Sequence, residues 1–263
     1  DQRFLGVCQH PRMPQGPLVV VFAVDGIDPV LNGDQPVDLR VPDVVVDPVD
    51  DAAVLHVVGV QGGLETEALA LVERAGAVNT LVPLDDGTVR GDNTDGVGLV
   101  RDLTANLAVE LSGKRLLLLG AGGAARGVLG PLLEQQPTHL VIANRTAERA
   151  EQLSDLFSDI GALTGCGFAA LGGEAFDVVI NATAAGLRGE VPDLPEGIIG
   201  PQTCCYDMMY GSAPTAFMRY AQQRGARRAF DGLGMLVEQA AESFWLWRGV
   251  RPDTARVIQM LRP

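Results

Sequence analysis

Aromatic residues are scarce in this chain, making up 5% of its 263 residues. A core with so few rings must be built from Leu, Val and Ala, which suits layered α/β architecture better than a β-sandwich. Lysine is scarcer still: Lys114 is the single example. Positive charge as a whole is outnumbered, with 20 Lys and Arg against 33 Asp and Glu and a net charge of −13. So acidic a chain is a poor partner for nucleic acid or an anionic membrane. No apolar run reaches the roughly 18 residues that a membrane span needs, and no basic-then-apolar leader is read, so a cytoplasmic protein is expected. The four cysteines, Cys8, Cys166, Cys204 and Cys205, have neither C-x-x-C spacing nor a paired framework. They read as free thiols, and no metal site is expected. Residues 1–63 contain no Ser, Thr, Tyr or Lys at all.

What is present is 47% hydrophobic, enough to bury a substantial core. Acidic residues crowd the first part of the chain, so an anionic cofactor would favour the second. Short apolar runs at Leu18–Ala23, Val44–Val46 and Val54–Val60 have the β-branched density of strands. Leu64, Ala68, Leu71 and Val72 fall on one face of a helix expected over Leu64–Arg74. A strand at Ala77–Pro83, a turn at Asp85–Gly87 and a return strand at Thr88–Gly91 follow, then a helix over Asp95–Asn106.

From Lys114 onward the pattern becomes regular. Arg115–Leu119 is a continuous apolar run, as expected of a strand buried on both faces. Leu140–Ala143, Phe176–Ala182 and Thr203–Asp207 supply further strands, with a helix at Thr146–Phe157. The chain closes with helices over Gly234–Arg248 and from Thr254. Alternating strands and helices predict a doubly wound parallel sheet, a Rossmann-like domain, beside a second, smaller α/β domain.

Gly120, Ala121, Gly122, Gly123 and Ala124 directly follow the first strand of this pattern and open a helix. Glycines permit the tight turn and let the backbone approach a pyrophosphate, and the helix N-terminus offers free N–H groups. The alternative is a glycine-rich turn that only packs a helix on a sheet. The strand–turn–helix–strand context favours nucleotide binding. The end of the second strand selects the cofactor. A carboxylate there would hold the ribose 2′-hydroxyl of NAD; this chain has Asn144, Arg145 and Thr146, with Arg149 one turn on. Arg145 can fork onto a 2′-phosphate, so NADP is expected; the alternative is a solvated surface arginine.

Ala75-Gly76-Ala77-Val78-Asn79-Thr80-Leu81, Gly91-Asp92-Asn93-Thr94-Asp95-Gly96, the glycine loop and Asn144-Arg145-Thr146 occur in that order. They continue with Asn181-Ala182-Thr183, with Asp207-Met208-Met209-Tyr210 followed by Pro214, Thr215 and Phe217, and with Gly232–Gln239. This series resembles the successive motifs of the shikimate dehydrogenase family and covers most of the chain. The resemblance implies NADP-linked interconversion of shikimate and 3-dehydroshikimate, with a shikimate-like small molecule as substrate and a monomer or homodimer as the working form. It implies that Asn79 and Asp95 hold substrate hydroxyls and that Asp95 belongs to the acid–base pair. Tyr210 and Gln239 would line the substrate cleft, and Met208, Gly234 and Met235 would border the nicotinamide. Residues 1–98, completed by 238–263, would form the substrate domain and 99–237 the NADP domain. From the residues alone, the plainer readings are preferred: Asp95 as a helix N-cap, Tyr210 as a core tyrosine and Gln239 as a surface helix residue.

Two features of the family pattern are missing before residue 64. The resemblance calls for hydroxyl residues near the N-terminus that bind the substrate carboxylate, but His10-Pro11-Arg12-Met13-Pro14-Gln15-Gly16-Pro17 contains none. It also calls for a lysine as the main acid–base residue, where Val58-Gly59-Val60-Gln61-Gly62-Gly63 stands instead. Three alternatives stay open. The chain is a paralogue that binds NADP without this chemistry. Or it takes a different substrate, with Arg12 on the carboxylate and His10 or His56 relaying protons. Or residues 1–63 as written differ from the natural chain, since Val for Thr and Asp for Asn are near-isosteric exchanges.

Overall fold

The computed structural model describes the backbone of residues 7–8, 18–19, 44–49 and 52–57, the positions 74, 76, 78–83 and 89–173, and residues 175–262. The helix expected at 64–74 lies outside the described residues except for its last residue, Arg74, which is helical. Also outside them are the Asp85–Gly87 turn, the segments 10–17 and 58–63, and the side chains of His10, Arg12 and His56.

The chain divides into two compact units, Asp1–Asn93 and Thr94–Pro263. In the first, β1 (Val7–Cys8) pairs antiparallel with β2 (Leu18–Val19), and β3 (Val44–Val49) with β4 (Ala52–Val57). The hairpin of β5 (Thr80–Pro83) and β6 (Val89–Asp92) sets Thr80 opposite Asp92.

The second unit begins with α1 (Asp95–Arg101), which passes into a π-helical turn over Asp102–Asn106. The sequence predicts one continuous helix here. The Thr104 hydroxyl donates to the Val100 carbonyl at 2.7 Å, and the backbone bond then spans one residue more, with the Leu107 N–H donating to the Asp102 carbonyl at 3.0 Å. There follow β7 (Arg115–Leu119), α2 (Gly123–Glu134), β8 (His139–Asn144), α3 (Ala147–Leu156), β9 (Leu163–Gly167) and β10 (Val178–Asn181). The chain continues through β11 (Cys204–Asp207), α4 (Ala216–Gln223), β12 (Arg228–Phe230), α5 (Leu233–Arg248) and α6 (Thr254–Leu261).

The six strands lie in the order β12-β11-β10-β7-β8-β9, and every neighbouring pair is parallel. This is the doubly wound order, with its reversal between β7 and β10. Alternating side chains on β7 explain its unbroken leucine run. Leu116 and Leu118 enter a core shared with Leu99, Val128, Leu129 and Met235, while Leu117 and Leu119 enter a second core with Val179, Cys205 and Phe217. Buried among these groups, the thiols of Cys204 and Cys205 are pushed up to about 11 and about 12, so they serve as packing rather than as nucleophiles.

Helix α1 is wedged between two others by its small residues. A Cβ on Gly96 would come within 2.5 Å of the Pro131 ring on α2, and one on Gly98 within 2.7 Å of the Gln239 backbone nitrogen on α5. Alanine at either position would drive the helices apart.

Candidate functional site

In the second unit the loops that follow the parallel strands carry most of the residues singled out above. After β7, Gly120 turns with φ +110°, a backbone conformation that L side chains rarely adopt. Its N–H donates to the Ala143 carbonyl of β8 at 2.8 Å, and a Cβ on it would come 3.0 Å from the Ala182 carbonyl. The loop is therefore drawn tight between the ends of β8 and β10. Ala121 is buried beneath it, whereas Gly122 and Gly123 are exposed and a Cβ on either would meet nothing. Gly122 is the N-cap of α2 and offers no side chain to its amides, no acidic residue stands in the first turn, and Ala124 is half-buried. The first amides of α2 are open toward an anion, and the glycines leave room for it.

After β8, Asn144 is half-buried and donates its Nδ2 to the Thr146 carbonyl at 3.0 Å, which folds the corner tightly. Arg145, Thr146 and Arg149 are exposed around the start of α3, where Thr146 is the N-cap. The corner carries two guanidinium groups, and an amide rather than a carboxylate ends the strand. That is the chemistry of a phosphate-accepting site rather than of a ribose clamp.

A third group gathers where β10 and β11 end. Asn181 donates Nδ2 to Asp207 Oδ1 at 3.0 Å, and its own carbonyl side accepts the Thr183 hydroxyl at 2.7 Å. Asp207 Oδ1 also takes the Met209 N–H at 3.2 Å. Burial pushes the Asp207 carboxyl up, against the hydrogen bonds it accepts. Met208 is half-buried, and its N–H donates to the Asn181 carbonyl at 3.0 Å. The Gly232 N–H donates to the Met209 carbonyl at 3.0 Å, which brings Met208 beside the first turn of α5, where Gly234 and Met235 are buried. Met208, Gly234 and Met235 are thus neighbours at one end of the sheet. Tyr210 is 37% exposed, which excludes the core-tyrosine alternative.

Gln239 is half-buried on α5, one turn beyond Met235, and its backbone abuts Gly98. Asp95 sits three residues before Gly98 as the first residue of α1; the N-cap position is occupied by Thr94, so the N-cap alternative for Asp95 is off by one residue. The Thr94 hydroxyl lies 3.1 Å from that of Ser243, which itself donates to the Gln239 carbonyl. Asp95 and Gln239 therefore stand on helices that run antiparallel in contact. In the first unit, Asn79 donates its N–H to the Asp92 carbonyl at 3.0 Å, and its Oδ1 accepts the Thr80 hydroxyl at 2.9 Å. Lys114 precedes β7, at the amino ends of the parallel strands and so opposite the loops that follow them, and pairs with Glu110 at 3.4 Å. Among the described residues no cluster of His, Cys, Asp and Glu could hold a metal ion.

Residues 102–188 match the model of the shikimate/quinate 5-dehydrogenase family, and 232–262 match that of the shikimate 5′-dehydrogenase C-terminal domain. The chain is 57% identical over 190 residues to shikimate dehydrogenase (NADP(+)) of Cellvibrio japonicus, a match covering 72% of this chain and 68% of that one. The chain belongs to the shikimate dehydrogenase family. Among solved members and neighbours, shikimate 5-dehydrogenase of Thermus thermophilus, in complex with NADP(H) and shikimate, is 31% identical with a TM-score of 0.60, covering 72% of this chain and 69% of that one. The Ael1 enzyme of Pseudomonas putida is 45% identical with a TM-score of 0.69, covering 73% of this chain and 70% of that one.

Two buried polar pairs near these loops have no role that the sequence alone assigns. Asn181 and Asp207 stand out there only as parts of motifs. Asp102 and Tyr206 lie inside the stretches that the sequence reads as a helix and a strand, where nothing in the spacing links them.

Proposed function

We propose that this chain is an NADP-dependent shikimate dehydrogenase, interconverting shikimate and 3-dehydroshikimate. The observation that carries the cofactor is the pair of strand-end corners. The open amides of Gly122–Ala124 suit the pyrophosphate, and Arg145, with Asn144, Thr146 and Arg149, suits the 2′-phosphate. When bound, the nicotinamide supplies hydride chemistry. Met208, Gly234 and Met235 border its ring. Asn79, Asp95, Tyr210 and Gln239 hold the substrate, and Asp95 takes the hydroxyl proton. We assign 1–98 with 238–263 to substrate and 99–237 to NADP, and the antiparallel packing of α1 on α5 supports the return of the C-terminal helix to the residues around Asp95. The working protein is a cytoplasmic monomer or homodimer.

Following NADPH absorbance with purified protein, NADP⁺ and shikimate tests this assignment; no turnover, together with no NADPH binding, overturns it. One observation favours a second reading, an NADP-binding paralogue with little or no activity. Lys114 is the only lysine, and it stands at the amino end of β7, opposite the strand-end loops, where it cannot serve as proton donor. Intact NADPH binding without turnover selects that reading.

A further inference from the structure

Helix α5 is held from the side by buried polar groups that no motif explains. Tyr206 on β11 is completely buried, and its hydroxyl donates to Asp102 Oδ2 at 2.7 Å. Asp102, 1% exposed, receives the Asn106 Nδ2 on its other oxygen at 3.0 Å. The same Asn106 nitrogen reaches Glu238 Oε1 at 3.0 Å, and Arg101 Nε meets Glu238 Oε2 at 3.3 Å. Asp102 thus meets α5 at its first turn, and the Asn106 amide ties it to Glu238, the buried carboxylate on the second turn of α5 itself.

The grip on the first turn is steric as well as polar. A Cβ on Gly234 would collide with the Asp102 carboxyl, so this carboxyl occupies the space that a side chain would fill. The backbone N–H of Met235 faces the Tyr206 hydroxyl. An anionic group at the first turn of a helix is also favoured by the helix dipole. From the other side the Gly232 N–H is tied to the Met209 carbonyl. The turn carrying Gly234 and Met235 is clamped between these two sets of contacts. A phenylalanine at 206 would fill the same volume, so the hydroxyl is not explained by packing.

We infer that Asp102 and Tyr206 are positioning residues for the redox end of the cofactor, setting where Gly234 and Met235 stand against the nicotinamide. This rests on the assignment of those two residues to the nicotinamide side. The adenine end is served by other loops, so loss of the clamp is felt at one end of the ligand only.

The test compares binding of NADPH with binding of adenosine 2′,5′-bisphosphate, which carries the adenine end and no nicotinamide. Tyr206→Phe is expected to weaken NADPH by about tenfold, the range of one buried hydrogen bond to a charged group, while leaving the bisphosphate within about twofold. Asp102→Asn, whose amide oxygen can still accept the tyrosine proton, is expected to fall between wild type and Tyr206→Phe. If Tyr206→Phe does not fold, Asp102→Asn carries the same comparison, with the loss again confined to NADPH. Equal loss for both ligands makes the pair a packing feature and overturns the inference, as does unchanged NADPH binding. Wild-type protein that binds neither ligand overturns the assignment of the cofactor itself.

Discussion

On the proposed assignment, Arg145 is the residue on which cofactor choice turns. It is exposed at the end of β8, beside an amide where a ribose-binding carboxylate would otherwise stand. Charge-assisted hydrogen bonds contribute about 1.5–3 kcal/mol each, so Arg145→Ala should weaken NADPH by roughly 10- to 100-fold. NADH, which lacks the 2′-phosphate, should change little, and equal losses for the two in a binding titration would remove the role. Asp207 gives a second prediction. Burial, above all, lifts its carboxyl above the ordinary carboxylate range. The folded state therefore holds this proton more tightly than the unfolded state, and its contribution to stability declines as pH rises from about 4 through the raised value. Asp207→Asn keeps an oxygen for Asn181 and Met209 and removes the buried charge. The variant should gain on wild type between pH 4 and pH 7 in urea melts. A growing deficit over that range would contradict the burial argument.

At the level of elements, the β7–α2 corner is the most constrained. Gly120→Ala forces a positive φ on an L residue and crowds the Ala182 carbonyl, a strain of about 1–3 kcal/mol. Thermal melts should show that loss, and NADPH binding should weaken with it because the α2 amides shift. The second unit was largely legible beforehand because its strands are buried on both faces and read as unbroken apolar runs. Arg115–Leu119 was located to the residue. The elements missed were those with weak local signals. β9 is Leu-Thr-Gly-Cys-Gly, β12 is three residues long, and α4 is short, depending on the Thr215 hydroxyl that accepts the Met218 N–H. Local pattern cannot register what parallel pairing with a distant strand supplies. The two strand-end corners stood out in the sequence for the opposite reason: glycine, asparagine and arginine at strand ends announce themselves, and the structure places them in the loops after β7 and β8. The Asp102–Tyr206 clamp was not, because a polar pair separated by a hundred residues leaves no trace in spacing.

For the whole molecule, the decisive question is proton supply. With Lys114 set apart, the proposed assignment leaves Asp95 to exchange the proton, and a carboxylate, with a reference pKa near 4, accepts protons well and donates them poorly at neutral pH. Turnover with NADP⁺ and shikimate should then fall at least about 100-fold below that of the Cellvibrio japonicus relative, with NADPH binding unaffected. Full activity would require another proton relay, or a natural sequence over residues 1–63 that carries the missing lysine. Peptide masses over that stretch distinguish the two.

The antiparallel pairing of α1 with α5 also bears on the history of such a chain. Thr94, where the second unit begins, is within a hydrogen bond of Ser243, near where it ends. The unit closes on itself like a clasp, and among the described residues its six-stranded sheet takes every strand from within that clasp. A module closed in this way can be joined to a different leading segment without unpicking its own fold.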